Sequence, residues 1–195
     1  MKKFKIAMGV VAIALTLLTV MSCKDTKKSD EHMEMDQNGM QNDEMMNQDQ
    51  KTSKGTAVLN SYLEIKNALV ADNSEVAATA GKTLFEDLAK FDQSSIAGAQ
   101  KQEVIDIIKD ASEHAEHISE NSGKMDHQRE HFELLSNDVK DLIAITGTDR
   151  VLYKTFCPMY NEGKGGIWLS ETKVIKNPYF GSKMMKCGEI QEEIK

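Results

Sequence analysis

The hydrophobic positions of this chain recur with the period of an α-helix from about residue 54 onward. In the first segment, Val58, Tyr62, Ile65 and Leu69 fall on one stripe of a helix. Polar breaks near residues 72–74, 92–95 and 121–123 separate three more segments of the same kind. Their apolar stripes are Val76, Ala80, Leu84, Leu88 and Phe91; then Ile96, Val104, Ile107, Ile108, Ala111, Ala115 and Ile118; then Phe132, Leu135, Val139 and Leu142.

Short links between helices make sequence neighbours antiparallel. The pattern therefore predicts an all-α domain over residues 54–195, an antiparallel four-helix bundle with an irregular C-terminal segment folded over it. We expect Ser74 to cap the second helix, and Gly123 and Gly147 to close the third and the fourth. Residues 148–195 lack the helical period; 153–156 reads as a short extended run, and glycine-rich loops follow.

The first 22 residues have the pattern of a secretory signal. Lys2, Lys3 and Lys5 precede an uncharged apolar run, and residues 20–23 resemble the lipobox of bacterial lipoproteins. We expect Cys23 to be lipidated, because several acyl chains hold a protein to a bilayer where one does not. The alternatives are an ordinary secretory signal cut near Ser22 or an uncleaved anchor. The expected location is the outer membrane, facing the periplasm or the cell surface.

Residues 23–53 are predicted to form a disordered, methionine-rich tether. Beyond Cys23 they contain no Leu, Ile, Val or aromatic residue, so they cannot bury enough surface to offset the entropy of ordering. They do contain one histidine and five methionines: His32, Met33, Met35, Met40, Met45 and Met46. Thioethers are soft ligands for Cu(I) and Ag(I). The alternative is compositional drift in a linker.

Four of the five histidines fall around the third predicted turn. His114 and His117 share one helix face, and His127 and His131 share another. In an antiparallel hairpin centred near Ser122, the two pairs lie at matching heights. Imidazole is the commonest protein ligand for Zn(II), Cu(II) and Ni(II), so the spacing predicts one shared metal site. The alternative is packed or solvated histidines without a metal.

A second candidate site comprises two short clusters of sulfur residues. Cys157 and Met159 form the first, and Met184 and Cys187 belong to the second. Thiolate plus thioether is a soft donor set that suits copper(I) or silver(I). The alternative is a Cys157–Cys187 disulfide in an oxidising compartment, which would close a loop of about thirty residues and contribute ~3–4 kcal/mol.

Composition narrows the function classes. With 195 residues, the chain accommodates one domain plus appendages. Its formal net charge of −7 makes nucleic acid a poor partner and cations a better one. The chain has no phosphate loop, paired acidic site or clear nucleophile–base set, so we expect no enzyme. A weaker alternative is a hydrolase that uses Cys157 with His131.

Several motifs resemble a Bacteroidota family of unknown function. They are Gln128–Phe132 with Ser136, Phe156–Met159, Trp168–Ser170, Asn177–Met184 and Cys187-Gly188, within about residues 55–190. That family occurs in lipoproteins and at the C-terminus of periplasmic adaptors of copper/silver-type efflux pumps. The resemblance implies, by association only, a role in soft-metal handling.

These observations predict a lipid-anchored, extracytoplasmic protein that binds copper or silver. It would buffer the metal or pass it to an efflux-pump adaptor or a metallochaperone. The main alternative is an interaction module of the cell envelope, without metal, that contains a structural Cys157–Cys187 disulfide.

Overall fold

The computed structural model of the protein describes residues 54–195. The predicted signal peptide, the predicted lipidation at Cys23 and the predicted methionine-rich tether lie outside the described residues, and they stay predictions. The described part contains four α-helices: α1 (Thr56–Val70), α2 (Ser74–Ala89), α3 (Ala99–Glu120) and α4 (Met125–Thr146). Among residues 54–195, no helix is both long and apolar enough to cross a membrane.

The four helices form the predicted bundle. Each helix packs against the next, and α1 also contacts α4. The apolar stripes face inward, so that residues such as Tyr62, Leu84, Ile118 and Phe132 are fully buried. The helix count and most positions of the four apolar stripes are thus confirmed. Val76 of the second stripe is instead 49% exposed, Phe91 joins the core from just beyond the end of α2, and Ile96 lies before α3 and packs against the core.

The N-terminal cap of α2 differs from the expectation by one residue. Asn73 is the cap, and its side chain accepts a hydrogen bond from the Val76 N–H at 3.0 Å. Ser74 instead bonds to the α3–α4 turn and to α4: its hydroxyl accepts from Gly123 N at 2.7 Å and donates to Gln128 Oε1 at 2.7 Å. Asn and Ser are equally good caps, so the sequence alone did not separate them.

The all-α prediction is wrong for the C-terminal segment, which contains a small antiparallel sheet. Its strands are β1 (Leu152–Cys157), β2 (Gly166–Ser170) and β3 (Glu189–Ile194), in the order β2-β1-β3. The extended run at 153–156 lies within β1. Strand β3 is charged and largely exposed, so its sequence has no hydrophobic alternation from which a strand could be predicted. Backbone pairing to β1 holds it in place.

The sheet is joined to the bundle by buried hydrogen bonds. The Leu169 N–H of β2 donates to the Tyr62 hydroxyl at 3.0 Å, and this hydroxyl lies 2.8 Å from Ser136 Oγ. Trp168 and Leu169 are fully or almost fully buried in the same core as the helices. Arg129 of α4 donates to the Pro178 carbonyl at 2.9 Å. The C-terminal segment therefore folds over the bundle as an integral part of it.

Candidate metal centre

The α3–α4 hairpin brings all four predicted histidines into contact. His117 and His131 rings stack with centroids 4.1 Å apart and planes within 3°. The His127 ring lies 4.6 Å from His131 and 5.8 Å from His117. The His114 ring lies 5.4 Å from that of His131. Helix periodicity and a short turn are sufficient to place these four side chains together.

Three of the histidines have the spacing of a metal site. His117, His127 and His131 each offer one ring nitrogen, and these nitrogens all lie within 4.8 Å of one another. A metal ion lies close to the plane of each imidazole that binds it. Because the His117 and His131 rings are stacked in parallel, one of them must rotate about its side-chain torsions when an ion binds.

His114 reaches the cluster through one nitrogen and an acid through the other. Its Nδ1 lies 3.2 Å from His131 Nδ1. Its Nε2 lies 3.8 Å from Asp138 Oδ2 on α4. On the outer side of the cluster, His127 Nδ1 lies 3.2 Å from Glu130 Oε2. The cluster thus has a half-buried carboxylate at one side and an exposed one at the other.

The surroundings of His114 and His131 favour the neutral form of these two imidazoles. Burial, followed by the neighbouring histidines, lowers the pKa of His131 to about 4. Burial also lowers the pKa of His114. A neutral imidazole has a free lone pair, which is the form that binds metal. At neutral pH these two side chains are therefore available as ligands without first losing a proton.

Asp138 has the opposite shift. Burial, together with the nearby Asp110 and Asp141, raises the pKa of Asp138 to about 7. Its Oδ2 accepts no hydrogen bond, and among residues 54–195 it is the one buried side-chain oxygen or nitrogen in this state. Sequence reasoning overlooked Asp138. Its spacing of seven residues from His131, two helical turns, is the signal that could have identified it.

The cysteines of the second candidate site also come together. Cys157 ends β1 and is fully buried, and Cys187 precedes β3. Their Sγ atoms lie 3.1 Å apart, and both are free thiols. The hydrogen bond with Cys157 is the largest cause, and burial the next, of a raised pKa of the Cys187 thiol. Asn177 Nδ2 donates to the Cys187 carbonyl at 2.7 Å, which holds the second cysteine in place.

The methionines of that site lie at the surface. Met159 is 59% exposed and Met184 is 38% exposed. Met159 lies two residues after Cys157, and Met184 lies three residues before Cys187, in the loops that flank the cysteine pair. The structure therefore places the two thiols in contact, while both methionines are exposed at the surface.

The comparisons with known proteins concern the bundle. Residues 58–150 match a family model. Its description is "Protein of unknown function (DUF3347)". The match includes all four histidines of the hairpin and the Gln128–Phe132 motif, and it ends before β1. No curated protein and no solved structure matches the chain.

Proposed function

We propose that this chain is an extracytoplasmic metal-binding protein whose α3–α4 histidines hold a transition-metal ion. One observation carries the proposal: His117, His127 and His131 place three ring nitrogens within 4.8 Å of one another. Two of the four imidazoles of the hairpin, those of His114 and His131, have lowered pKa values that keep them neutral. Facing helices of a bundle are an ordinary place for such a site.

Copper is the metal that suits all the candidate donors. Among divalent first-row ions Cu(II) binds a given nitrogen site most tightly, and Cu(I) prefers thiolates and thioethers. The hairpin offers imidazoles, the C-terminal segment offers the Cys157–Cys187 thiols, and the sequence of the tether offers methionines. Silver(I) would share the sulfur donors.

The cellular role belongs to the same proposal. A lipid at Cys23 would hold the protein to the outer membrane, where it would buffer copper or pass it to an efflux-pump adaptor or a metallochaperone. The resemblance to a Bacteroidota family that occurs in lipoproteins and at the C-terminus of copper/silver-type efflux adaptors supports this role. A binding function also fits the geometry better than hydrolysis does, because Cys157 contacts Cys187 and His131 contacts His114 rather than each other.

The test is a competition titration of the purified full chain with Zn(II) and, without oxygen, with Cu(I). The variant His117→Gln/His127→Gln/His131→Gln removes the cluster, and His32→Gln in the tether is the matched control. Loss of three ligands should weaken Zn(II) binding by at least about 100-fold, more than loss of an outer-shell partner alone. The control should bind like the wild type.

Two results would contradict the proposal. If the triple variant binds Zn(II) with the same affinity as the wild type, the histidines do not hold the metal. Elemental analysis of protein purified from its own envelope under reducing conditions tests the copper assignment. Zinc without copper in that sample would contradict it.

The second candidate is an interaction module without metal. The 3.1 Å contact between the Cys157 and Cys187 sulfurs favours it. In an oxidising compartment, a thiol oxidant would take two electrons and two protons from this pair and leave a disulfide after a small movement of the sulfurs. The protein would then dock on another envelope protein. Mass analysis of the isolated protein separates the two functions: the docking module predicts the loss of two hydrogens and no bound metal.

A further inference from the structure

The most unusual polar atom in the described part of the chain is Asp138 Oδ2. It is buried, and it accepts no hydrogen bond. Leaving a buried carboxylate oxygen without a donor is costly, because the oxygen has lost its water and gained nothing in return. His114 Nε2 lies 3.8 Å from this oxygen, which is too long for a hydrogen bond.

The opposite nitrogen of the same ring makes a contact of a different kind. His114 Nδ1 lies 3.2 Å from His131 Nδ1. Two nitrogens that bind one tetrahedral ion at about 2.0–2.1 Å are themselves separated by about 3.3 Å. The two Nδ1 atoms are hydrogen-bonded to each other at a separation close to the one that a shared ion requires, so an ion that replaces the shared proton needs only a small movement of the rings.

We propose that His114 binds the metal through Nδ1, as a fourth ligand beside His131, and that Asp138 is the positioning residue that orients it. This inference rests on the proposed metal function and deepens it. A metal ion on Nδ1 leaves the ring proton on Nε2, the nitrogen that faces Asp138. A small rotation of the ring then lets Nε2–H donate to the carboxylate oxygen that lacks a donor.

This arrangement is a carboxylate–histidine–metal relay. The acceptor sets the tautomer and the orientation of the imidazole and makes it a better ligand. The other acids that face Asp138 are Asp110 on α3 and Asp141 on α4. Both are exposed. Asp110 also acts on His114 through its charge, so it provides a matched control for charge without the contact to Nε2.

The experiment measures Zn(II) affinity of the full chain in the variants Asp138→Ala, Asp138→Asn and Asp110→Asn. Loss of an outer-shell partner typically weakens metal binding by about 10–100-fold. We expect a loss in this range for Asp138→Ala and a smaller loss for Asp138→Asn, whose amide oxygen still accepts a hydrogen bond. Asp110→Asn should change affinity by less than about threefold, because exposed charges interact weakly.

Two further readouts separate positioning from a general structural role. In the His114→Gln background, Asp138→Ala should have no further effect on affinity, since Asp138 acts through His114. Without metal, Asp138→Asn should unfold at a temperature no lower than the wild type, because the residue has no hydrogen bond to lose. The visible absorption of bound Co(II) should also weaken in His114→Gln as the site loses its tetrahedral geometry.

The outcomes distinguish this inference from the proposed function. If wild type binds Zn(II) tightly and Asp138→Ala binds equally well, the inference is wrong and the function stands. An equal loss from Asp138→Ala with and without His114 would also overturn the relay. If wild type binds neither Zn(II) nor Cu(I), the proposed function fails and the inference fails with it.

Discussion

The histidine hairpin and the cysteine–methionine segment are two ligand clusters built on different kinds of structure. The histidines lie on two rigid helices joined by a short turn, so their heights follow from the spacing along the chain. All four come into contact. The sulfur residues lie at strand ends and in loops, where the two thiols meet and both methionines are exposed. Spacing along the chain thus predicts contacts between the two helices of a hairpin better than contacts between loops.

The largest effect concerns whether the two regions form one folding unit. Trp168 of β2 is almost fully buried between the sheet and the helices. We expect Trp168→Ala to lower the free energy of unfolding by about 3–5 kcal/mol, because it leaves a large cavity. Chemical denaturation followed by circular dichroism of the helices measures it.

Val174→Ala is the matched control for Trp168→Ala. Val174 is 64% exposed, so its truncation should change stability by less than about 0.5 kcal/mol. Unchanged helix stability in Trp168→Ala would mean that the bundle folds independently of the sheet, and the two regions would then have to be treated as separate units.

A second prediction separates the thiols from the thioethers. Because Cys157 and Cys187 touch while Met159 and Met184 lie at the surface, the double variant Cys157→Ser/Cys187→Ser should weaken Cu(I) binding in the C-terminal segment by about 10-fold or more. Met159→Leu/Met184→Leu should change it by less than about threefold. Both variants are compared in the His117→Gln/His127→Gln/His131→Gln background, which removes the hairpin's contribution.

The reverse order, with the methionine variant weaker than the cysteine variant, would show that the loops rearrange to bring the thioethers to the metal. If the cysteine variant, the methionine variant and the triple histidine variant that serves as their background all bind Cu(I) equally, the C-terminal segment is not a copper site. A structural Cys157–Cys187 disulfide would then be favoured.

The smallest effect concerns the contact between the α1–α2 turn, α4 and the C-terminal segment. Asp72 accepts a hydrogen bond from Ser182 N at 2.9 Å and another from Arg129 at 2.6 Å. The hydrogen bonds from Ser182 have the largest effect, and together with the bond from Arg129 they lower the pKa of Asp72 from 3.8 to about 2. An acid with a lowered pKa contributes stability above its unfolded pKa and loses it as the pH falls through the folded value.

Asp72→Asn should therefore lower stability by about 1 kcal/mol at pH 7, a modest value because the side chain is 38% exposed and solvent screens it. The difference from the wild type should shrink as the pH falls below 3.8 and vanish only below pH 2. Asp126→Asn is the control, since Asp126 is 96% exposed and lies 3.9 Å from Arg129. A pH-independent difference would mean that Asp72 acts through shape rather than charge.

The sequence predicted most of the bundle because each helix needs only a local apolar stripe and a break. It failed where the decisive contact is distant along the chain. Strand β3 depends on pairing with β1, more than thirty residues earlier. Asp138 was overlooked because an isolated acid on a helix is usually solvated, and only the packing of α3 against α4 buries its oxygen. Met159 was grouped with Cys157 by proximity in sequence, which does not determine where a loop side chain lies.

The most direct test of the central claim is X-ray absorption of the full chain loaded with one equivalent of Zn(II). Zinc is redox-inert, so it leaves the thiols unoxidised. The account predicts a first shell of nitrogen at about 2.0–2.1 Å with the scattering pattern of imidazole, lost in His117→Gln/His127→Gln/His131→Gln. A first shell of sulfur at about 2.3 Å, or an unchanged spectrum in that variant, would contradict the histidine site.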